Sequence, residues 1–265
     1  MNLELEGKRA IVTGSTSGLG EEIARQLAAE GAAVVVHGRD SARAEAVAKT
    51  IREAGGRADV ALGDLSTDEG AEAAVTEALA CGPIDILVNN VGVYDLSVSW
   101  STASPQAWAD IYNTNVISGV RMIQRLVPAM RERGWGRVIQ ISSVTGRLPQ
   151  ASQPHYAATN AARSNLAASL ARELRQTGVT SNAIAAGGIL VPSVRDSLIA
   201  LGQEKGWGTT WDEIEPELVR TLAPNDVGRI GRPADYAALV TFLASPAGSF
   251  VNGANLHVDG GWRAA

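Results

Sequence analysis

Short β-branched runs alternate with longer amphipathic stretches along most of this chain, and that rhythm leaves few architectures open to it. The clearest runs lie at 10–12, 33–36, 84–88, 138–141 and 179–184. Between the first two, Leu19, Ile23 and Leu27 recur every four residues and lay one apolar stripe along a helix. Similar patterns predict helices near 42–54, 69–80, 114–131 and 156–176. A βαβα series of this kind predicts an α/β, Rossmann-type doubly wound parallel sheet with helices on both faces. The 265 residues, 45% of them apolar, suffice for one such core, and no repeat or low-complexity tract marks a second domain. A single domain over 1–265 is therefore expected.

The segment 192–229 breaks the rhythm. It holds Trp207, Gly208, Trp211, Pro216 and Pro224 and is too long for an ordinary connection, so a lid over a substrate is expected there. A packed pair of short surface helices is the plainer alternative.

A net charge of −5 argues against nucleic acid or an anionic membrane as partner, because their phosphates repel an acidic surface. The single cysteine, Cys81, allows neither an internal disulfide nor a metal cluster, and reads as a small buried hydrophobe in a reducing compartment. The first ten residues carry charges, and no run of about 18 apolar residues follows. A cytoplasmic location is expected.

The stretch Thr13-Gly14-Ser15-Thr16-Ser17-Gly18-Leu19-Gly20 ends the first strand and opens the first helix. Close-approaching backbone at a helix N-terminus is what a dinucleotide pyrophosphate requires. Gly14 would permit the turn, Gly18 and Gly20 would clear space, and the hydroxyls of Ser15, Thr16 and Ser17 would add donors. At the end of the second strand, a dinucleotide fold places an acid for a ribose hydroxyl or an arginine for a 2′-phosphate. Here His37-Gly38-Arg39-Asp40 offers Arg39, so NADP(H) is favoured. Asp40 precedes a helical pattern and reads as its N-cap, while His37 could equally be a solvated strand end.

Together with Gly63-Asp64-Leu65, Asn89-Asn90-Val91-Gly92, Asn115, Ser143 and Tyr156, the glycine-rich loop completes a pattern that resembles the short-chain dehydrogenase/reductase family across nearly the whole chain. The resemblance implies a sheet of about seven strands and assembly as homodimer or homotetramer. It also implies roles: Asp64 and Leu65 against the adenine, Asn90 and Gly92 along the cofactor cleft, and Asn115 supporting a proton relay from a bent helix. Ser143 would orient the substrate oxygen, and Tyr156 would transfer its proton. Reduction by hydride needs such a pair, because the oxygen must gain a proton as the carbon gains hydride.

The sequence departs from the family pattern in one place that matters for chemistry. The motif Tyr-x-x-x-Lys stands here as Tyr156-Ala157-Ala158-Thr159-Asn160, without the lysine. Asn160 lies one turn from Tyr156 and could bond a ribose hydroxyl or a water, but it brings no charge. Tyr156 is then expected to be a weaker acid than in relatives. Three readings compete. The chain reduces ketones regardless, with Arg163 as a less favoured substitute for the lysine; it reduces cyclic imines, whose nitrogen carries its own proton; or it is a silent NADP(H)-binding regulator.

Near 185–189, Ala186 stands where the family usually has proline, Gly187 would allow a positive φ, and Ile189 would pack on the nicotinamide. Loss of the proline would loosen this segment. The substrate pocket is expected between Val93, Tyr94, Val144, Gln150, Val191, Trp207 and Trp211, with an apolar character.

Overall fold

In the computed structural model, which describes residues 2–95 and 97–262, the alternating pattern becomes a seven-stranded parallel sheet. The first half runs β1 (Arg9–Val12), α1 (Gly18–Ala29), β2 (Ala33–Gly38), α2 (Ser41–Glu53), β3 (Arg57–Leu62), α3 (Asp68–Ala80) and β4 (Ile86–Asn89). There follow α4 (Pro105–Tyr112), α5 (Ser118–Glu132), β5 (Gly136–Ser143), α6 (Pro154–Glu173) and β6 (Val179–Ala186). The chain then forms α7 (Pro192–Glu204), α8 (Trp211–Thr221), α9 (Pro233–Ala244) and β7 (Asn255–Val258). The strand order is β3-β2-β1-β4-β5-β6-β7. Its direction of growth reverses between β1 and β4, and an open α/β sheet binds ligands at the carboxyl ends beside such a reversal.

Strand periodicity explains the two cores. Ala10, Val12, Val34, Val36, Ile86, Val88, Ile139 and Ile141 face the layer of α1, α2 and α9. Their neighbours Ile11, Val35, Leu87 and Val138 face the opposite layer, with α3, α5 and Leu174 beyond α6. Successive side chains point to opposite faces, so a strand covered twice must be apolar throughout. Leu19, Ile23 and Leu27 are the stripe of α1 that seats it on the sheet. The stripe was the helix's best sequence signal for this reason.

Some expectations shift. The helix expected at 114–131 begins at Ser118, because Asn113–Ile117 form one wide π-type turn that continues from α4. Ser104 caps α4 through the Ala107 amide, and Pro105 fixes its first turn. Cys81 is exposed at the end of α3, not buried. Its position past the last helical turn points it away from the strip formed by Ala71, Ala74, Val75 and Ala78. Asp40 does cap α2, accepting from the Arg43 amide. The irregular stretch after β6 is mostly helical: α7 and α8 pack together over Ile214 and Leu218. Among the described residues, no helix is long and apolar enough to cross a membrane.

Candidate active site

The glycine-rich turn is held from beneath by polar bonds that leave its upper surface open. Thr13 donates to the Val88 carbonyl and accepts from the Asn90 and Val91 amides, locking β1 to β4 at their carboxyl ends. The Asn90 amide nitrogen then reaches the carbonyls of Thr13 and Gly14. Gly14 has φ +64°, and a Cβ on Gly20 would stand 2.4 Å from the Gly14 carbonyl oxygen. Neither position therefore accepts a side chain without moving the loop. The Leu19 side chain is in the core, so only its backbone could meet a cofactor.

Ser15 corrects an expectation. It is fully buried, donates to the Val12 carbonyl and accepts from the His37 amide, so its hydroxyl fastens the loop to β1 and β2 and is not offered upward. Ser17, at the N-cap of α1, is exposed and makes no side-chain cap bond. The first amides of α1 consequently have no side-chain cap from Ser17, which suits an anionic group at that end.

His37 is buried, contrary to the solvated strand end considered above. Its Nδ1 accepts from the Gly14 amide, which ties β2 to the turn. Burial drives its pKa down to about 4, against smaller raising effects from Gly63 and Asp64, so the ring is neutral. Arg39 lies two residues further along the chain, exposed at the rim, with Nη1 3.4 Å from Asp64. The Asp64 carboxyl is held below the usual range mainly by bonds to Ser66. Leu65 is a core residue, so only its backbone could meet an adenine.

Ser143 and Tyr156 both stand at the carboxyl ends of the strands. Ser143 ends β5, and its oxygen accepts from the backbone amide and the hydroxyl of Thr145. Neither bond uses the proton of Ser143. Tyr156 lies in the first turn of α6, which Pro154 starts and which the bridge between Ser99 and Ser152 aligns. The Tyr94 ring covers it at 6.0 Å between centroids. Asn115 sits in the wide turn; its side chain donates to the Val93 carbonyl and Thr159 and accepts from the Val93 amide.

Asn160 is placed differently from the expectation. It is buried, and its amide nitrogen donates 2.9 Å to the Tyr156 carbonyl, one turn back in its own helix. One of the two amide hydrogens expected to reach a ribose or a water is thus used within the helix. Arg163, a turn further on, is also buried and donates to the carbonyls of Asn115, Ile141 and Val91. Its guanidinium lies under Gly92, at 3.4 Å from where a Cβ would stand. In the sequence Arg163 is only a less favoured substitute for the lysine, and an arginine on a helix is usually solvated. The available signal was its spacing of seven from Tyr156 on a helix buried on most sides.

The expected substrate walls divide into two groups. Tyr94 is half exposed over Tyr156, and Val191 leans over Gly18, 3.3 Å from an added Cβ. Gln150 is exposed. Val144 is buried, and Trp207 and Trp211 pack against the small core of Ile214, Leu218 and Ile230. The tryptophans, partly buried, help to hold the helix pair together. The segment below the pair is also firmer than expected without a proline. Gly187 donates to the Val258 carbonyl, Leu190 donates to the Gly231 carbonyl, and the Tyr236 hydroxyl donates to the Gly188 carbonyl. Gly187 has no positive φ; it is glycine because a Cβ would stand 2.9 Å from Asp259 Cα. Ile189 is pinned by a bridge to Gly231.

A family profile described as short chain dehydrogenase matches residues 8–199. An uncharacterized oxidoreductase of Bacillus subtilis (strain 168) is 38% identical over 263 residues, covering 98% of both chains. The L-sorbose reductase of Gluconobacter frateurii, solved with NADPH and L-sorbose, superposes with a TM-score of 0.91 at 32% identity, covering 98% of both chains. A 3-oxoacyl (acyl-carrier-protein) reductase of Agrobacterium tumefaciens, solved with NADP, gives 0.87 at 36% identity, covering 97% of this chain and 95% of that one.

Proposed function

Because the chain belongs to the short-chain dehydrogenase family, we propose that it is an NADP(H)-dependent oxidoreductase that reduces the carbonyl of a small, largely apolar ketone. The observation that carries this reading is the Ser143 hydroxyl, which accepts twice from Thr145 and so keeps its proton for a substrate oxygen. Support for the cofactor comes from the relatives solved with NADPH or NADP, from the open end of α1, and from Arg39 at the rim where a 2′-phosphate would lie. When bound, the dinucleotide supplies the hydride that reduces the carbonyl carbon.

The residues of the chain do the rest. Ser143 donates a hydrogen bond to the carbonyl oxygen and fixes its direction. Tyr156 passes its phenolic proton to that oxygen as negative charge builds there, leaving a phenolate that solvent reprotonates. Asn115 holds the turn between Val93 and α6, which keeps Tyr156 in register with β5. Thr16, Gly18, Gly92 and Val191 surround the space for the dinucleotide, with Tyr94 over the substrate. The pair α7 and α8, packed together over Ile214 and Leu218, serves as the lid of the single domain. Ile123, Pro128 and Leu170 line an outward apolar groove on α5 and α6 that supports assembly into a dimer or tetramer.

The test is Tyr156→Phe, assayed by NADPH consumption with a cyclic ketone. Turnover should fall by about 10²-fold or more while NADPH affinity is unchanged. Unchanged turnover, or NADPH binding by the natural protein without turnover of any ketone tried, would contradict the reading.

A further inference from the structure

The buried charge of α6 lies about one turn beyond where the family pattern would put it, at Arg163 instead of position 160. Tyr156, Asn160 and Arg163 follow one another at i, i+4 and i+7, so they share one face of the helix. Helical side chains lean toward the N-terminus, which carries the guanidinium of Arg163 back along that face toward Tyr156. Three carbonyls receive it: Asn115 from the wide turn and Ile141 from β5, each at 2.5 Å, and Val91 two residues past the end of β4. All three acceptors are neutral. Among the described residues it pairs with no carboxylate, and the only charge that raises its pKa is that of Tyr156. Burial pulls that pKa down to about 10, which still leaves the group charged at neutrality.

We infer that Arg163 is the positioning residue that supplies the positive charge behind Tyr156, stabilising the phenolate left when the proton moves to substrate. Asn160, which brings no charge, keeps the first turns of α6 closed by its bond to the Tyr156 carbonyl. What the charge serves rests on the reductase reading above; where it lies does not. The other ionisable groups around Tyr156 do not supply it. Tyr94 covers the ring, Asp95 is negative and tied to Ser97, and the neighbouring His155 turns its ring to Trp108. The wide turn and β5 present Asn115, Ser142 and Ser143 to this region.

Two substitutions separate charge from hydrogen bonding. Arg163→Gln keeps amide donors without charge, and Arg163→Lys keeps charge with fewer donors. The growth of the tyrosinate ultraviolet band with pH, measured without cofactor or substrate and with a Tyr156→Phe background subtracted, reports on Tyr156 alone. In Arg163→Gln the Tyr156 band should appear about one pH unit or more higher than in the natural protein. Asn160→Lys added to Arg163→Gln should bring it back. A band unmoved in a folded Arg163→Gln protein, or unmoved by the added lysine, overturns the inference even if ketone reduction is established. Conversely, a protein that reduces no ketone but shows these shifts retains the charge assignment and loses the reductase reading.

If Arg163→Gln does not fold, Arg163→Lys decides. A lysine buried there loses its proton at lower pH than a solvated one. Its tyrosinate curve should then diverge upward from that of the natural protein by about one unit at alkaline pH, and its ketone reduction should fall away earlier on the alkaline side. Curves that run parallel to those of the natural protein would show that the donors alone matter.

Discussion

Two arginines are buried at opposite ends of the same sheet, and each is ringed by backbone carbonyls. At the amino end of β5, Arg137 donates to the carbonyls of Gly136, Gly178 and Ser245 and stacks 4.5 Å over the Trp135 ring. At the carboxyl end, Arg163 donates to Val91, Asn115 and Ile141. Burial lowers the pKa of both. The local chemistry is nearly the same, but the surroundings differ. Arg137 faces an aromatic ring and the end of α9, whereas Arg163 lies two turns from Tyr156 on the same face of α6, under Gly92 and below the crevice where an open α/β sheet takes its ligand. A buried guanidinium is thus a structural clasp at one end and a source of field for chemistry at the other. Position along the strands decides which.

The comparison breaks most visibly at Arg137. Arg137→Met should leave three carbonyls without their donor and cost about 3–5 kcal/mol of stability, measured by denaturant unfolding. NADPH-dependent ketone turnover per folded molecule should not change; a specific loss of turnover would erase the distinction between the two ends.

His37 sharpens the contrast, because it is a second buried base at the carboxyl end but is held neutral. Its folded pKa of about 4 lies below the ordinary histidine value of 6.5, so the unfolded chain takes up the proton first. Its contribution to stability is therefore complete above 6.5 and is lost as pH falls toward about 4, amounting to about 3 kcal/mol. His37→Asn, whose Oδ1 can still accept from the Gly14 amide, should lose that much less stability between pH 7 and pH 4. Parallel stability curves for the two proteins would mean that the ring is not buried as described.

The two ends also differ in how readily the sequence revealed them. The sheet and the stripe of α1 were legible because burial on both faces forces apolar runs, as Val34, Val35 and Val36 show. β3 was not singled out from its residues: as an edge strand it carries Arg57 and Asp59, and charge at an edge hides the pattern. The glycine-rich loop was found, but not that Ser15 is turned inward, because a hydroxyl serves a phosphate or a carbonyl equally well. Trp207 and Trp211 were expected at the substrate because sequence gives an aromatic residue's presence but not its direction. Arg163 was undervalued for a similar reason. Its partners are three carbonyls from distant segments, and backbone acceptors leave no mark in residue types.

The most direct measurement follows NADPH consumption with a cyclic ketone and the cyclic imine of the same ring skeleton. A positive charge fixed below the proton donor favours a neutral carbonyl that becomes an alkoxide and disfavours a cationic iminium. The ketone should therefore be reduced with a kcat/KM about 10-fold or more above that of the imine, a difference of about 1.4 kcal/mol in the barrier. A clear preference for the imine would contradict both the carbonyl reading and the role given to Arg163.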